Sequence, residues 1–383
     1  MAKNNSLPYL TIKNSFSNSI IAKFLLKKIK KFLKKCPYHY LIFFRKDKLL
    51  KVIKENSKKY PYFLRFDIEK YYPSIDHQIL LIILEKILNS RKGKKFLKSE
   101  IIPFLNKYQI QNKGLPLGNF LSYVLAGIYL LPLDLCLIKS KIFFLRFQDD
   151  YLIFLKKKKE PLNILKEIIE PTLNNLKLNI NINKLSSGRF HQDKLDFLGF
   201  QYFAGYFTIE NERIEEFKNK IRKITHLKNK KSSKAIIKIL NNKILGFGHY
   251  YKISKAKKDF ERLDAFIRQR LRRYLLRNKD SKNKLGNLVL TNESLKSLGL
   301  KSLKEIYEKS RLKKRHILRK KREIQEKIDN LKINDFNYFF FKNQDKSLIF
   351  SILIKLEEIS KKLEYLLETL KRNEKNKKDY FAI

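Results

Sequence analysis

Two hydrophobic rhythms divide this chain. Up to about residue 205 the most telling apolar residues form short continuous runs, and beyond it they recur every three or four positions, as on a helix face. In the first part, Arg65-Phe66-Asp67-Ile68-Glu69-Lys70-Tyr71-Tyr72-Pro73-Ser74-Ile75-Asp76-His77 and Leu145-Arg146-Phe147-Gln148-Asp149-Asp150-Tyr151-Leu152-Ile153-Phe154 each read as a buried strand with acidic residues at its tip. A carboxylate there costs desolvation energy unless it is paired or holds a metal. Two such tips side by side make a cation site, although an Asp-Asp pair in a turn also serves simply to bond its own backbone. Residues 120–138 are apolar for long enough to span a bilayer, but Pro132 and Asp134 interrupt them, and a buried helix is the better reading.

The second part is helical. Helices are predicted over 211–224 and 234–251, and a third carries apolar residues at 260, 263, 266, 267, 271, 274 and 275. Six arginines, Arg262, Arg268, Arg270, Arg272, Arg273 and Arg277, crowd that helix and its end. They form either a solvated face or a set of phosphate contacts, and their density favours the second. Residues 303–332 read as a basic helix, with a break at Asn334-Asp335-Phe336-Asn337. A further helix follows, with Ile349, Ile352, Leu356, Ile359, Leu363, Leu366 and Leu370 spaced three and four apart, as in a coiled-coil seam. That pattern suits a helical hairpin, or the docking of a partner or second copy.

Charge narrows the partners. The 383 residues carry 86 Lys and Arg against 37 Asp and Glu, a formal net charge of +49. An AT-rich coding bias would raise Asp and Glu as well as Lys, so the imbalance points to phosphate backbones or anionic surfaces. Residues 1–46 contain no acidic residue, and 20–35 form a Lys-rich amphipathic helix. We read it as an RNA-contacting arm in preference to an organellar leader, which would favour Arg over Lys. Cys36 and Cys136 suggest no disulfide framework, and no membrane span is expected; both fit a reducing cytoplasm.

Between the acidic tips lies Gly114-Leu115-Pro116-Leu117-Gly118-Asn119-Phe120-Leu121-Ser122. Gly lets a backbone approach a ligand closely and Pro fixes the turn. Further on come Leu176-Lys177-Leu178-Asn179 with Lys184, and Leu195-Asp196-Phe197-Leu198-Gly199-Phe200. In this order and spacing the set resembles the palm of a reverse transcriptase: Asp67 matches the first acidic motif and Asp149-Asp150 the acidic pair of the Tyr-x-Asp-Asp turn. Leu245-Gly246-Phe247-Gly248-His249-Tyr250-Tyr251, the Arg-rich helix, Thr291-Asn292 and Leu298-Gly299-Leu300 resemble the thumb of group II intron maturases. Leu117 stands where most of the family has Gln, Tyr123 follows Ser122 where most have Pro, and Phe147 replaces the turn's Tyr. Leu117 resembles the enzymes of diversity-generating retroelements, while Tyr123 departs from them.

The resemblance implies an α+β right-hand polymerase: an antiparallel palm sheet with flanking helices, abbreviated fingers, a helical thumb and a C-terminal helical hairpin. The expected division is 1–60 for the basic arm and fingers, whose remnant is Tyr38 to Lys46, then 61–205 for the palm, 206–305 for the thumb and 306–383 for the hairpin. It implies RNA-directed DNA polymerisation with two Mg2+ ions, Mn2+ substituting. Asp67 and Asp149 would hold the ions, assisted by the carbonyl of Ile68 and supported by Asp150. Lys184 would give a proton to the pyrophosphate. Tyr72 would exclude a 2′-hydroxyl, unless it is simply a core aromatic, and Gly114, Pro116, Leu117, Gly118 and Phe147 would line the nucleotide site. The implied partners are template RNA, the RNA–DNA duplex, deoxynucleoside triphosphates and, for a diversity-generating element, a small helical accessory protein. A maturase-like RNA-binding protein and an antiviral defence reverse transcriptase are the alternatives.

Overall fold

Both acidic stretches become strands of one sheet. In the computed structural model, which describes residues 16–33, 46–107, 112–227, 229, 231–276 and 290–340, β1 (Tyr62–Phe66), β2 (Phe143–Phe147), β3 (Asp150–Leu155) and β4 (Ser186–Arg189) pair antiparallel. Their order is β2-β3-β1-β4. Successive side chains point to opposite faces of a sheet, and here both faces are covered. Leu64, Phe66, Phe144, Tyr151 and Ile153 enter a core shared with the helices Phe120–Tyr129 and Leu131–Lys139. Phe63, Phe143, Leu145, Leu152 and Phe154 enter a second core. Burial on both sides explains why the strands read as unbroken apolar runs rather than as alternation.

The second core is closed by another antiparallel sheet, β5 (Leu195–Phe197), β6 (Phe200–Phe203) and β7 (Tyr206–Ile209), and by the helices Asn211–Ile224, Ser233–Tyr251 and Lys257–Leu275. Leu198 and Gly199 link β5 to β6 with φ of 54° and 74°, the left-handed pair that a two-residue hairpin requires. The architecture is the expected α+β one. By contact, the chain divides into two units, Met1–Tyr307 and Glu308–Ile383.

Three expectations need correction. The N-terminal basic helix, Phe16–Leu33, is no free arm: Ile21, Ala22, Leu25 and Leu26 are buried in the first core, and Lys23, Lys27 and Lys28 lie exposed. The apolar run 120–138 is two helices, because the backbone leaves helical geometry at Leu130 (φ −89°, ψ 1°). Pro132 then falls in the first turn of the second helix, where its missing N–H costs nothing. Among the described residues this stretch, Phe120–Lys139, is the one long and apolar enough to cross a membrane, and most of it is buried inside the protein. Finally, the helix Leu303–Phe340 runs through the break predicted at 334–337. Neither Gly nor Pro is present there, and Asn or Asp costs a helix interior only about 0.7 kcal/mol each. The seam at 349–370, all of the finger remnant from Tyr38 to Lys46 except Lys46 itself, Cys36 and Arg277 lie outside the described residues.

Candidate active site

The strand register brings the two tips together. Phe66 faces Tyr151 across the β1–β3 pair, so Asp67 emerges from β1 beside the start of β3 at Asp150. Past Asp67 the backbone is anchored by Asn181 N–H to the Asp67 carbonyl at 2.8 Å and by Glu69 N–H to the Asn179 carbonyl at 2.9 Å. These bonds leave the carbonyl of Ile68 out of that bridge. Phe147 and Asp150 are opposite one another, which makes Gln148-Asp149 a two-residue turn, and Gln148 takes a φ of 59°. A non-glycine residue held there costs on the order of 1–3 kcal/mol, which the surrounding structure must offset.

The three carboxylates differ in their partners. Asp67 is buried and paired with Lys184, whose own side chain is half exposed. The guanidinium of Arg65 meets Asp150 Oδ1 at 3.0 Å. Burial raises the Asp150 carboxyl, with Arg65 opposing and Asp67 adding to the rise. Asp149 hydrogen-bonds the Asp67 carboxyl, and burial, then the charges of Asp67 and Asp150, push it up to about 7. Among the described residues no cation pairs with Asp149. Nor do any three His, Cys, Asp or Glu side chains among them lie where they could together hold a metal ion. Lys184 and Arg65 each already pair with an oxygen of Asp67 and of Asp150. The donor set nonetheless suits a hard divalent ion, since carboxylate oxygens converge and one lacks a counter-charge.

The glycine loop is tied to the first motif. Gly114 N–H donates to the Ile75 carbonyl at 2.9 Å, Leu115 N–H to the Tyr72 carbonyl at 3.0 Å, and the His77 ring meets the Gly114 carbonyl at 2.7 Å. Gly114 and Gly118 have φ of 90° and 81°, which favours glycine at both. Gly118 is exposed, Leu117 half-buried and Pro116 buried, so of these three Pro116 faces protein. Asn119 caps the following helix by accepting from Leu121 N–H at 2.8 Å. Its Nδ2 and the Ser122 hydroxyl are buried with no partner among the described residues, polar atoms that ordered water or a ligand ordinarily satisfies. Tyr72 is half-buried, with its hydroxyl 3.4 Å from Gln148 Oε1, and Phe147 packs along the second core. Asp76, the last acid of the first stretch, caps the helix His77–Ile87 and pairs with Lys177.

Beneath the turn lies a network that the sequence pattern did not reveal. Arg146 and Asp134 are both buried. Arg146 donates through Nε and Nη2 to the two Asp134 oxygens, through Nη2 to the Gly127 carbonyl at 3.1 Å, and through Nη1 to the Gln148 carbonyl at 3.1 Å. The Tyr151 hydroxyl donates to Asp134 Oδ1 at 2.9 Å. Burial opposes the guanidinium's charge, but Asp134 more than offsets it and the pKa rises. The acid that interrupts the apolar run is therefore the counter-ion of the residue that holds the turn's backbone.

The arginines of the helix Lys257–Leu275 divide into tied and open. Arg270 Nε donates to Thr225 Oγ1 at 3.1 Å; Arg272 donates to the Leu290 carbonyl at 2.6 Å and to Asn292 Oδ1 at 2.9 Å. Those two brace neighbouring segments, so their guanidinium groups are already engaged within the protein. Arg262 and Arg273 are exposed and Arg268 half-buried. Arg262, Arg268 and Arg272 border an open concavity of about 780 Å³ with Thr291 and Asn292.

Comparison with known proteins gives two family matches. Residues 12–202 match the reverse transcriptase (RNA-dependent DNA polymerase) family, and residues 214–289 match the group II intron maturase-specific domain. No curated protein matches. Among solved structures, apo telomerase from Candida tropicalis, truncated from its C-terminal domain, is 15% identical over 51% of this chain and 46% of that one, with a TM-score of 0.42. Telomerase from Candida albicans, in complex with a TWJ fragment of telomeric RNA, is 13% identical over 76% and 56%, with a TM-score of 0.41. The chain thus spans about half the length of these structures. Family members generally use divalent metal ions and bind template RNA. The first match takes in both acidic tips and the glycine loop, and the second begins within the helix Asn211–Ile224; on these two matches the chain belongs to the group II intron-like reverse transcriptases, a family of RNA-directed DNA polymerases.

Proposed function

We propose that this chain copies an RNA template into DNA, adding deoxynucleotides to a primer with two Mg2+ ions, for which Mn2+ substitutes. The observation that carries this is the convergence of Asp67, Asp149 and Asp150 at one end of the two central strands, with no cation against Asp149 among the described residues. Asp67 and Asp149 would hold the ions, with the Ile68 carbonyl assisting. When bound, they supply the charge that activates the primer 3′-hydroxyl and neutralises the leaving pyrophosphate. Asp150 steadies the site through Arg65. Lys184, beside Asp67, carries the proton for the pyrophosphate. Tyr72 lies under the sugar and excludes a 2′-hydroxyl by clash, while Gly114, Leu117 and Gly118 border the nucleotide and Pro116 and Phe147 back the site from the protein side. The test is extension of a DNA primer on RNA by purified protein. Deoxynucleotide incorporation that requires a divalent ion is expected, and its absence would overturn the reading.

Leu117 and the two family matches support a retroelement enzyme, and a diversity-generating element with a small helical accessory protein is the specific reading we favour, in the cytoplasm. The maturase-specific match favours an intron-encoded enzyme instead. Intron RNA flanking the gene would decide for the second; a variable-repeat target gene beside it would decide for the first.

A carboxyl raised from its ordinary 3.8 to about 7 opposes folding when it ionises, so without a cation its contribution to stability falls as pH climbs between those values. A bound cation favours the ionised form and releases the proton. The rise in melting temperature on adding Mg2+ should therefore be several-fold larger at pH 8 than at pH 6, and Asp149→Asn should flatten the difference. An equal rise at both pH values would remove Asp149 from the ion site.

Among the arginines, Arg262 and Arg273 are the pair we expect on nucleic-acid phosphates. Changing both to Gln should weaken binding to all RNA–DNA duplexes alike and reduce the slope of log affinity against log salt by about two. Arg270→Gln should instead lower melting temperature by loosening Thr225. An unchanged salt slope in the double variant would assign this face to protein contact.

A further inference from the structure

The Gln148 side chain ties two tyrosines from separate elements to the acidic turn. Tyr72, in the helical turn Tyr71–Ser74, donates its hydroxyl to Gln148 Oε1 at 3.4 Å, and Tyr123, in the helix Phe120–Tyr129, hydrogen-bonds the same side chain. All three residues are half-buried. Burial, then the charge of Asp149, drives the Tyr72 hydroxyl well above its ordinary range, so it stays protonated and a donor. A turn that needed only a left-handed residue would be served by Gly or Asn. Gln at φ 59° adds an amide able to donate to one tyrosine and accept from the other, and Arg146 fixes its backbone through the carbonyl.

We propose that Gln148 is a positioning residue that fixes the Tyr72 ring, with Tyr123 as its second anchor, and so sets how strictly deoxynucleotides are chosen over ribonucleotides. The inference rests on the polymerase reading and on Tyr72 lying under the sugar. The ratio of kcat/KM for a deoxynucleotide to that for its ribonucleotide reads it. Gln148→Met, nearly isosteric but without the amide, should lower that ratio about three- to ten-fold, chiefly through a lower KM for the ribonucleotide. Tyr72→Phe, which keeps the ring and removes the hydroxyl, should give a similar loss. The double variant should add little to either single change, because both break one contact. Additive losses, or a Gln148→Met that slows both nucleotides alike, would overturn the positioning role. So would an unchanged ratio in Tyr72→Phe, which tests the contact from the other side should Gln148→Met fold poorly. A wild-type protein that incorporates no deoxynucleotide overturns the polymerase reading itself and the inference with it.

Discussion

Asp149→Asn is expected to abolish primer extension, lowering the rate by at least about a thousand-fold, while Asp150→Asn leaves a measurable remainder. The two acids are adjacent in sequence but differ in surroundings. Asp150 already answers Arg65 at 3.0 Å, so its charge is partly spent within the protein. Asp149 faces Asp67 and Asp150 with no cation of its own among the described residues, and burial raises it to about 7. A group so placed is costly to the fold unless charge arrives from outside, which is why we propose that it serves the reaction rather than stability. The asparagine variant should accordingly be as stable as the wild type or more so near pH 8 without divalent ions, and inactive with them. Single-turnover extension of an RNA-templated primer, with melting curves on the same samples, checks both halves. Activity within ten-fold of wild type would remove Asp149 from the chemistry.

Local pattern carried the strands that bear the acidic tips and the helices beyond residue 210, but not β4, β7 or the helices His77–Ile87, Lys46–Asn56 and Glu170–Asn175. β1 and β3 were visible because burial on both sheet faces makes their sequences continuously apolar, and the helices Asn211–Ile224 and Ser233–Tyr251 because each buries one stripe. What pattern does not carry is the identity of a distant partner. Arg65 meets Asp150 and Lys184 meets Asp67 across wide separations in the chain, fixed only by strand pairing and by the turn at residues 182–184. Asp134 read as an interruption of an apolar run, and its meaning emerged with Arg146 opposite it. Arg270 and Arg272 looked like their neighbours on the helix, yet Thr225 and Asn292 engage them. The basic N-terminal helix misled for a related reason: lysines on one face set its charge, whereas four small and aliphatic residues on the other decide its place. Gln148 occupies the unrestricted position of its turn and gave no periodic signal at all.

Arg146→Ala should lower stability by about 3–5 kcal/mol, because it leaves Asp134 charged and buried without its counter-ion. In a domain of this size that is a fall in melting temperature of roughly 10 °C. Asp134→Ala should cost a similar amount by stranding the guanidinium. Replacing both together, Arg146→Met with Asp134→Leu, should recover much of the loss, since well-packed apolar groups often do as well as a buried ion pair. Polymerisation should not recover with it. Arg146 also donates to the Gln148 carbonyl at 3.1 Å, and a methionine side chain in its place has no donor to hold that carbonyl or the left-handed backbone that carries Asp149. The separation of the two readouts is the test: stability restored and extension still depressed about a hundred-fold would make Arg146 the residue that positions the acidic turn. If extension returns together with stability, the pair is a structural cross-link only, and the strain at Gln148 is held by the strands on either side.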